Sequence, residues 1–154
     1  MKLQIKQITA SETYPIRHPL LRKGQALAAC KLENDNHPAS IHLGAFSGAQ
    51  MVGVLSALPN PCPDHKTLTA YQLRAMAVEP AFQRKKIATH LIQHLLEKIN
   101  RIDSIKLIWL NARVAANILY IPVHRQPYYE NLGFKLGDFS EAEQFHREAI
   151  CIPM

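Results

Sequence analysis

Cysteine is scarce in this sequence. Cys30, Cys62 and Cys151 are three in number and widely spaced, which excludes a disulfide framework. There is no CxxC pair. Cys62 and His65, in "CPDH", are the one ligand pair at metal spacing. With no second pair nearby, the stretch reads as a Pro-rich surface loop and no metal site is expected. Aromatic residues make up 7% of the chain and no run of basic residues exceeds three. A nucleic-acid face built from a continuous basic stripe with interleaved aromatics is therefore not expected. No apolar run reaches membrane-spanning length. The first residues, "MKLQIKQITA", alternate like a strand and lack the apolar block and cleavage site of a secretory leader. A cytoplasmic location is the expectation. Internal repeats, low-complexity tracts and linkers are missing too. So are the phosphate-binding patterns GxxxxGK[ST] and GxGxxG.

What is present is an ordinary globular balance. The 154 residues are 47% hydrophobic and 19% charged, which predicts one domain spanning 1–154 with a real core. The net charge of +6 favours an anionic ligand or partner. Lys2 to Ile8 reads as a strand with Leu3, Ile5 and Ile8 inward. In Ser11 to Cys30, Pro15, Pro19 and Gly24 break the pattern into one or two short helices. "SIHLGAF" and "QMVGVLSAL" alternate on either side of hairpin chemistry in "SGAQ". After the loop "PNPCPDHK", "TLTAYQLRAMAV" is a long strand ending before Pro80. "IKLIWLNA" is a strand too apolar for an edge. Ala112 to Asn131 is expected to hold helical material interrupted by Pro122 and Pro127, and "GFKLGDF" and "FHREAICI" are expected as closing strands. The fold class is α+β (mixed α/β).

The most informative stretch is "AVEPAFQRKKIATHLIQHLLEKI", Ala77 to Ile99. Ile87, Leu91, Leu95 and Ile99 share one helical face, flanked by Ala88, Ile92 and Leu96. Thr89, His90, Gln93, His94, Glu97 and Lys98 fall on the other side. Arg84, Lys85 and Lys86 stand at the helix start, where the dipole is already positive and backbone N–H groups lack partners. A bound phosphate would satisfy all three features at one point.

Those same residues resemble the acetyl-CoA motif of the GNAT superfamily of N-acetyltransferases, in which a strand ending "AV.P" precedes Q/R-x-x-G-x-G/A. Gln83, Arg84, Lys85, Lys86, Ile87 and Ala88 occupy the six-residue signature. "YYENLGFK", Tyr128 to Lys135, resembles the family's second signature, Y-E-x-L-G-F. "LIWLNARVAA" resembles the strand and helix start between the two. The resemblance implies a GNAT fold whose central strand, Tyr71 to Val78, is bulged and splays from Ile105 to Asn111. It implies acetyl-CoA as co-substrate. Pantetheine would pair with the main chain of Met76, Ala77 and Val78, and the pyrophosphate would lie on the amides of Arg84 to Thr89. Lys86 stands where the signature has its first glycine. Its side chain must turn outward or the loop must open, because a Cβ there limits approach of a ligand.

For the chemistry, the resemblance implies a thioester carbonyl held by a backbone N–H, that of Val78, and a tyrosine as general acid. Tyr129 matches the motif position. The interval "NILYIPVHRQP" is longer than usual, so Tyr120 sits near the usual distance from Asn111–Ala112–Arg113. Tyr129 is favoured because the following strand fixes it. Many relatives carry a Glu base on the central strand, where this chain has Gln72 and Arg74. Glu79, just past that strand's end, is expected to face solvent, so water relayed to bulk could serve as the base, and His42 and His146 are titratable candidates each more simply read as structural. No cysteine lies in either motif, which points to direct transfer. The acceptor, a small-molecule or protein amine, cannot be read, and a homodimer is admitted. The alternative is a non-catalytic acyl-CoA-binding module of the same fold. A nucleic-acid-associated protein is the weaker third reading.

Overall fold

Period-two alternation builds a mixed sheet. The computed structural model describes residues 2–62, 66–111 and 118–122, with Asn111 and the last segment described through their backbone. The strands β1 (Leu3–Ile8), β2 (Ile41–Ser47), β3 (Gln50–Pro59) and β4 (Ala70–Val78) form an antiparallel meander. β2 and β3 are joined by Gly48 and Ala49, with Ser47 opposite Gln50 and Gly48 at φ 62°. That is the conformation a tight hairpin turn asks of glycine. α2 (Ile87–Ile99) carries the chain across to β5 (Leu107–Asn111), which lies parallel to β4. β6 (Ile118–Pro122) pairs antiparallel with β5. The order is β1-β2-β3-β4-β5-β6.

α2 packs its apolar face on one side of the sheet. Ile87, Leu91, Leu95 and Ile99 are fully buried there, against Leu43, Leu55, Leu73 and Val78 among others. Each large aliphatic side chain so buried contributes about 1.5–3 kcal/mol. On the opposite side, α1 (Tyr14–Leu21) lays Ile16 against Val54 and Ala77. Pro15 occupies the first turn of α1, where its missing N–H costs nothing. Pro19 lies inside this helix rather than ending it. Leu3 and Ile5 lean on the α2 side and Ile8 on the α1 side, as the change from odd to even position requires.

Three expectations need correction. Ile118 to Pro122 is strand and not helical material. Ile118, Leu119, Tyr120 and Ile121 are β-formers, and they close the exposed edge of β5 by pairing from Asn111↔Ile118 to Leu107↔Pro122. Thr89, expected on the solvent side of α2, is 3% exposed. Cys62, expected in a surface loop, is fully buried beside Ala70, Leu107 and Trp109. His65, Tyr129, His146 and the strands expected at "GFKLGDF" and "FHREAICI" lie outside the described residues. Among the described residues no helix is long and apolar enough to cross a membrane.

Candidate active site

The site starts from a bulge in β4. Val54 pairs with Ala77 but Ser56 pairs with Arg74, so β4 carries one extra residue between them. Ala75 absorbs it with φ 54°, a left-handed conformation that costs an L-residue roughly 1–2 kcal/mol. A bulge bends and twists its strand. β4 and β5 pair from Ala70↔Leu107 to Gln72↔Trp109 and no further, although both strands continue. The sheet therefore opens between Leu73–Val78 and the end of β5, as expected from the family resemblance.

The register fixes which groups face this gap. The amide of Glu79 donates to the Val52 carbonyl at 2.8 Å, and Val78 lies opposite Gly53. Hydrogen-bonded and non-bonded pairs alternate along an antiparallel ladder. The Val78 pair is thus a non-bonded one, and its N–H and C=O point away from β3 toward the gap. Gln83 Nε2 donates to that Val78 carbonyl at 3.2 Å. The first residue of the six-residue stretch thereby ties the loop to the strand end. Gly53 permits the close approach of the parts. A Cβ on it would sit 3.2 Å from Ile87 Cγ2 and 3.3 Å from the Ala77 carbonyl.

From Pro80–Phe82, a single 3-10 turn, the chain passes through Gln83 to Lys86 into α2. Arg84 and Lys86 both adopt positive φ, 61° and 62°. Lys86 is the N-cap of α2 in the left-handed region, with an exposed side chain. It turns outward, as its replacement of a glycine demands. Lys85 is exposed with Nζ 5.2 Å from the Phe82 ring centroid. Among the described residues, the amides of Arg84 to Thr89 make no backbone hydrogen bond outside the helix ladder, and no side chain caps α2. The ladder opens with the amide of His90 donating to the Lys86 carbonyl at 3.0 Å, and His90 Nδ1 donates to the same oxygen at 2.6 Å. The Thr89 hydroxyl is buried and has no hydrogen-bond partner among the described residues. A helix start with N–H groups free among the described residues, left-handed turns and three cations can receive an oxyanion.

The α1 side of the sheet carries a buried polar network that sequence reading missed. Arg17 forks onto Asp35, Nη1 to Oδ2 at 2.8 Å and Nη2 to Oδ1 at 3.1 Å, and also donates to the Cys30 carbonyl and Ser56 Oγ. His42 Nε2 donates to the Asp35 carbonyl at 2.8 Å, leaving Nδ1 to accept from Ser56 Oγ at 2.7 Å. His42 is 4% exposed with both ring nitrogens engaged, so it has a structural place and none as a general base. Burial opposes ionisation of Asp35, yet hydrogen bonds from Arg17 and the Leu32 amide hold its carboxyl below the usual range. Gln72 accepts from Asn60 Nδ2 at 2.8 Å, and Asn60 in turn accepts from Trp109 Nε1 on its carbonyl. Arg74 and Glu79 are half-buried. The backbone of Tyr120 lies opposite Trp109.

A mixed sheet that opens beside a bulged strand, with a basic loop feeding a bare helix start, sets a free strand edge beside a turn suited to a phosphate. Residues 38–136 match the family model described as an acetyltransferase (GNAT) domain. The uncharacterized N-acetyltransferase YitI of Bacillus subtilis (strain 168) is 33% identical over 137 residues, 88% of this chain and 85% of that protein. The chain belongs to the GNAT family and is an N-acetyltransferase, with its acceptor unidentified. Solved structures share the fold. AAC(6')-Iy, in complex with the bisubstrate analogue CoA-S-monomethyl-acetylneamine, gives a TM-score of 0.61 at 15% identity, covering 92% of this chain and 94% of that one. A predicted acetyltransferase from Clostridium acetobutylicum with acetyl-CoA gives 0.56 at 17% identity, covering 87% and 90%.

Proposed function

We propose that the chain transfers the acetyl group of acetyl-CoA directly to an amine, with the cofactor lying in the gap between β4 and β5. Pantetheine pairs with Met76, Ala77 and Val78. The amides of Arg84, Lys85, Lys86, Ile87, Ala88 and Thr89 receive the pyrophosphate. The observation that carries this reading is the direction of the Val78 peptide, whose N–H faces the gap rather than β3. A donor fixed there stabilises the oxyanion that forms when the amine nitrogen attacks the thioester carbon. As the C–S bond breaks, the thiolate takes a proton from Tyr129, and the nitrogen's surplus proton leaves through water to bulk solvent. Lys86 does not favour the non-catalytic alternative, because its outward, left-handed placement leaves the loop's amides bare.

Acetyl-CoA that binds the native state at a hundredfold excess over Kd should stabilise it by about 2.7 kcal/mol. A melting curve should rise by several degrees, and no shift at millimolar acetyl-CoA would refute the cofactor assignment. Once an acceptor is found, Tyr129→Phe should cut kcat and kcat/KM together by at least about tenfold, with acetyl-CoA affinity little changed. Tyr120→Phe should alter acceptor KM or nothing. The reverse pattern would make Tyr120 the acid.

A further inference from the structure

Among the described residues, Arg74 has a position and no ion-pair or hydrogen-bond partner for its side chain. It alternates with Leu73, which packs on the α2 side. Successive side chains on a strand face opposite ways, so Arg74 stands on the α1 side with Gln72. Its register partner is Ser56, whose hydroxyl already receives Arg17. On this side Arg17, Asp35, His42, Ser56, Gln72 and Trp109 hydrogen-bond one another or nearby polar groups. Both oxygens of Asp35 are taken by Arg17. Arg74 is half-buried, and its guanidinium makes no ion pair or hydrogen bond among the described residues. Among the described residues, Arg17 takes the one buried carboxylate on this side, and Arg74 is left without a counter-ion.

Its place along β4 is as telling. Arg74 immediately precedes the bulge at Ala75, just beyond the last β4–β5 pair. At about 3.3 Å per residue, its Cα lies within roughly 13 Å of Val78 along the strand. The long arginine side chain and a small acceptor together span that distance. We infer that the acceptor amine also carries an oxyanion, a carboxylate or a phosphate, which Arg74 receives on the side of the sheet opposite α2. This rests on the acetyl-transfer reading above. A planar guanidinium fork suits oxyanions, and a polycationic amine would be repelled by it.

The test uses matched amines with acetyl-CoA as donor, scored by release of free CoA. The pairs are leucine and leucinamide, phenylalanine and phenylalaninamide, and phosphoethanolamine and ethanolamine. A hydrogen-bonded charge pair predicts that the anionic member of at least one pair is preferred by roughly tenfold in kcat/KM. The preference should vanish in Arg74→Gln, survive in part in Arg74→Lys, and reside in KM. The first two pairs identify a carboxylate and the third a phosphate. The melting temperature and acetyl-CoA affinity of Arg74→Gln report that the variant is folded. Equal response from both members of every pair, including none, overturns the inference, as does an anion preference that Arg74→Gln leaves intact. Failure of the wild type to bind acetyl-CoA would refute the underlying function instead, so the two failures are distinguishable.

Discussion

Lys86 holds a backbone conformation that suits glycine, at the point where the loop becomes helix. A left-handed L-residue costs roughly 1–2 kcal/mol, and glycine's larger entropy loss on folding takes back about 0.5–1 kcal/mol. Lys86→Gly should therefore raise stability by about 0.5–1 kcal/mol, a gain of a few degrees in melting temperature. Since the Lys86 side chain points outward, acetyl-CoA affinity should stay within a few-fold. A loss of affinity that is smaller at high salt would show that the ammonium reaches a phosphate. A lower melting temperature would show that the left-handed strain is absent. Lys86 could be marked as a misfit in the sequence because a cation occupied a glycine position. Thr89 could not. Its solvent-side position follows from helical periodicity, but the helix start sits deep enough against β3 and β4 to bury it.

Among the elements, Arg17 joins α1 to Asp35 in the segment leading to β2 and to Ser56 on β3, and the Tyr71 hydroxyl ties that segment to β4 by donating to the Ala39 carbonyl at 2.6 Å. The folded Asp35 carboxyl titrates below its unfolded value of about 3.9. Its contribution to stability is therefore present above that pH and lost as pH falls through the depressed folded value. Asp35→Asn should be less stable near neutral pH, by up to about 3–5 kcal/mol because a buried guanidinium loses its counter-charge. Its stability should also fall less steeply below about pH 4. Urea midpoints from pH 7 to pH 3 check this, and parallel profiles for variant and wild type would contradict it. None of this network was legible in sequence, since Arg17, Asp35, His42 and Ser56 are joined only by the fold. The meander, α2 and the strand–loop–helix unit were legible, because Leu43, Leu55 and Leu91 repeat with the periods of their elements. β6 was misread because Pro122 and Pro127 suggested a broken helix, and that expectation outweighed the strand character of Ile118 to Ile121.

At the scale of the molecule, the opened sheet and the bare helix start form one continuous track, from the Val78 peptide through Gln83 to the amides of Arg84 to Thr89. The α2 side supplies the rigid backing, and the α1 side supplies the surface on which Arg74 stands. The basic net charge of +6 would suit the polyanionic co-substrate proposed above. If this track is the cofactor site, its amides are unprotected until CoA arrives. Hydrogen exchange with and without saturating CoA measures that directly. The account predicts strong new protection in peptides covering Met76 to Val78 and Arg84 to Thr89, with β1 and β2 unchanged. CoA binding that leaves those peptides unprotected, or that protects another part of the molecule instead, would contradict it.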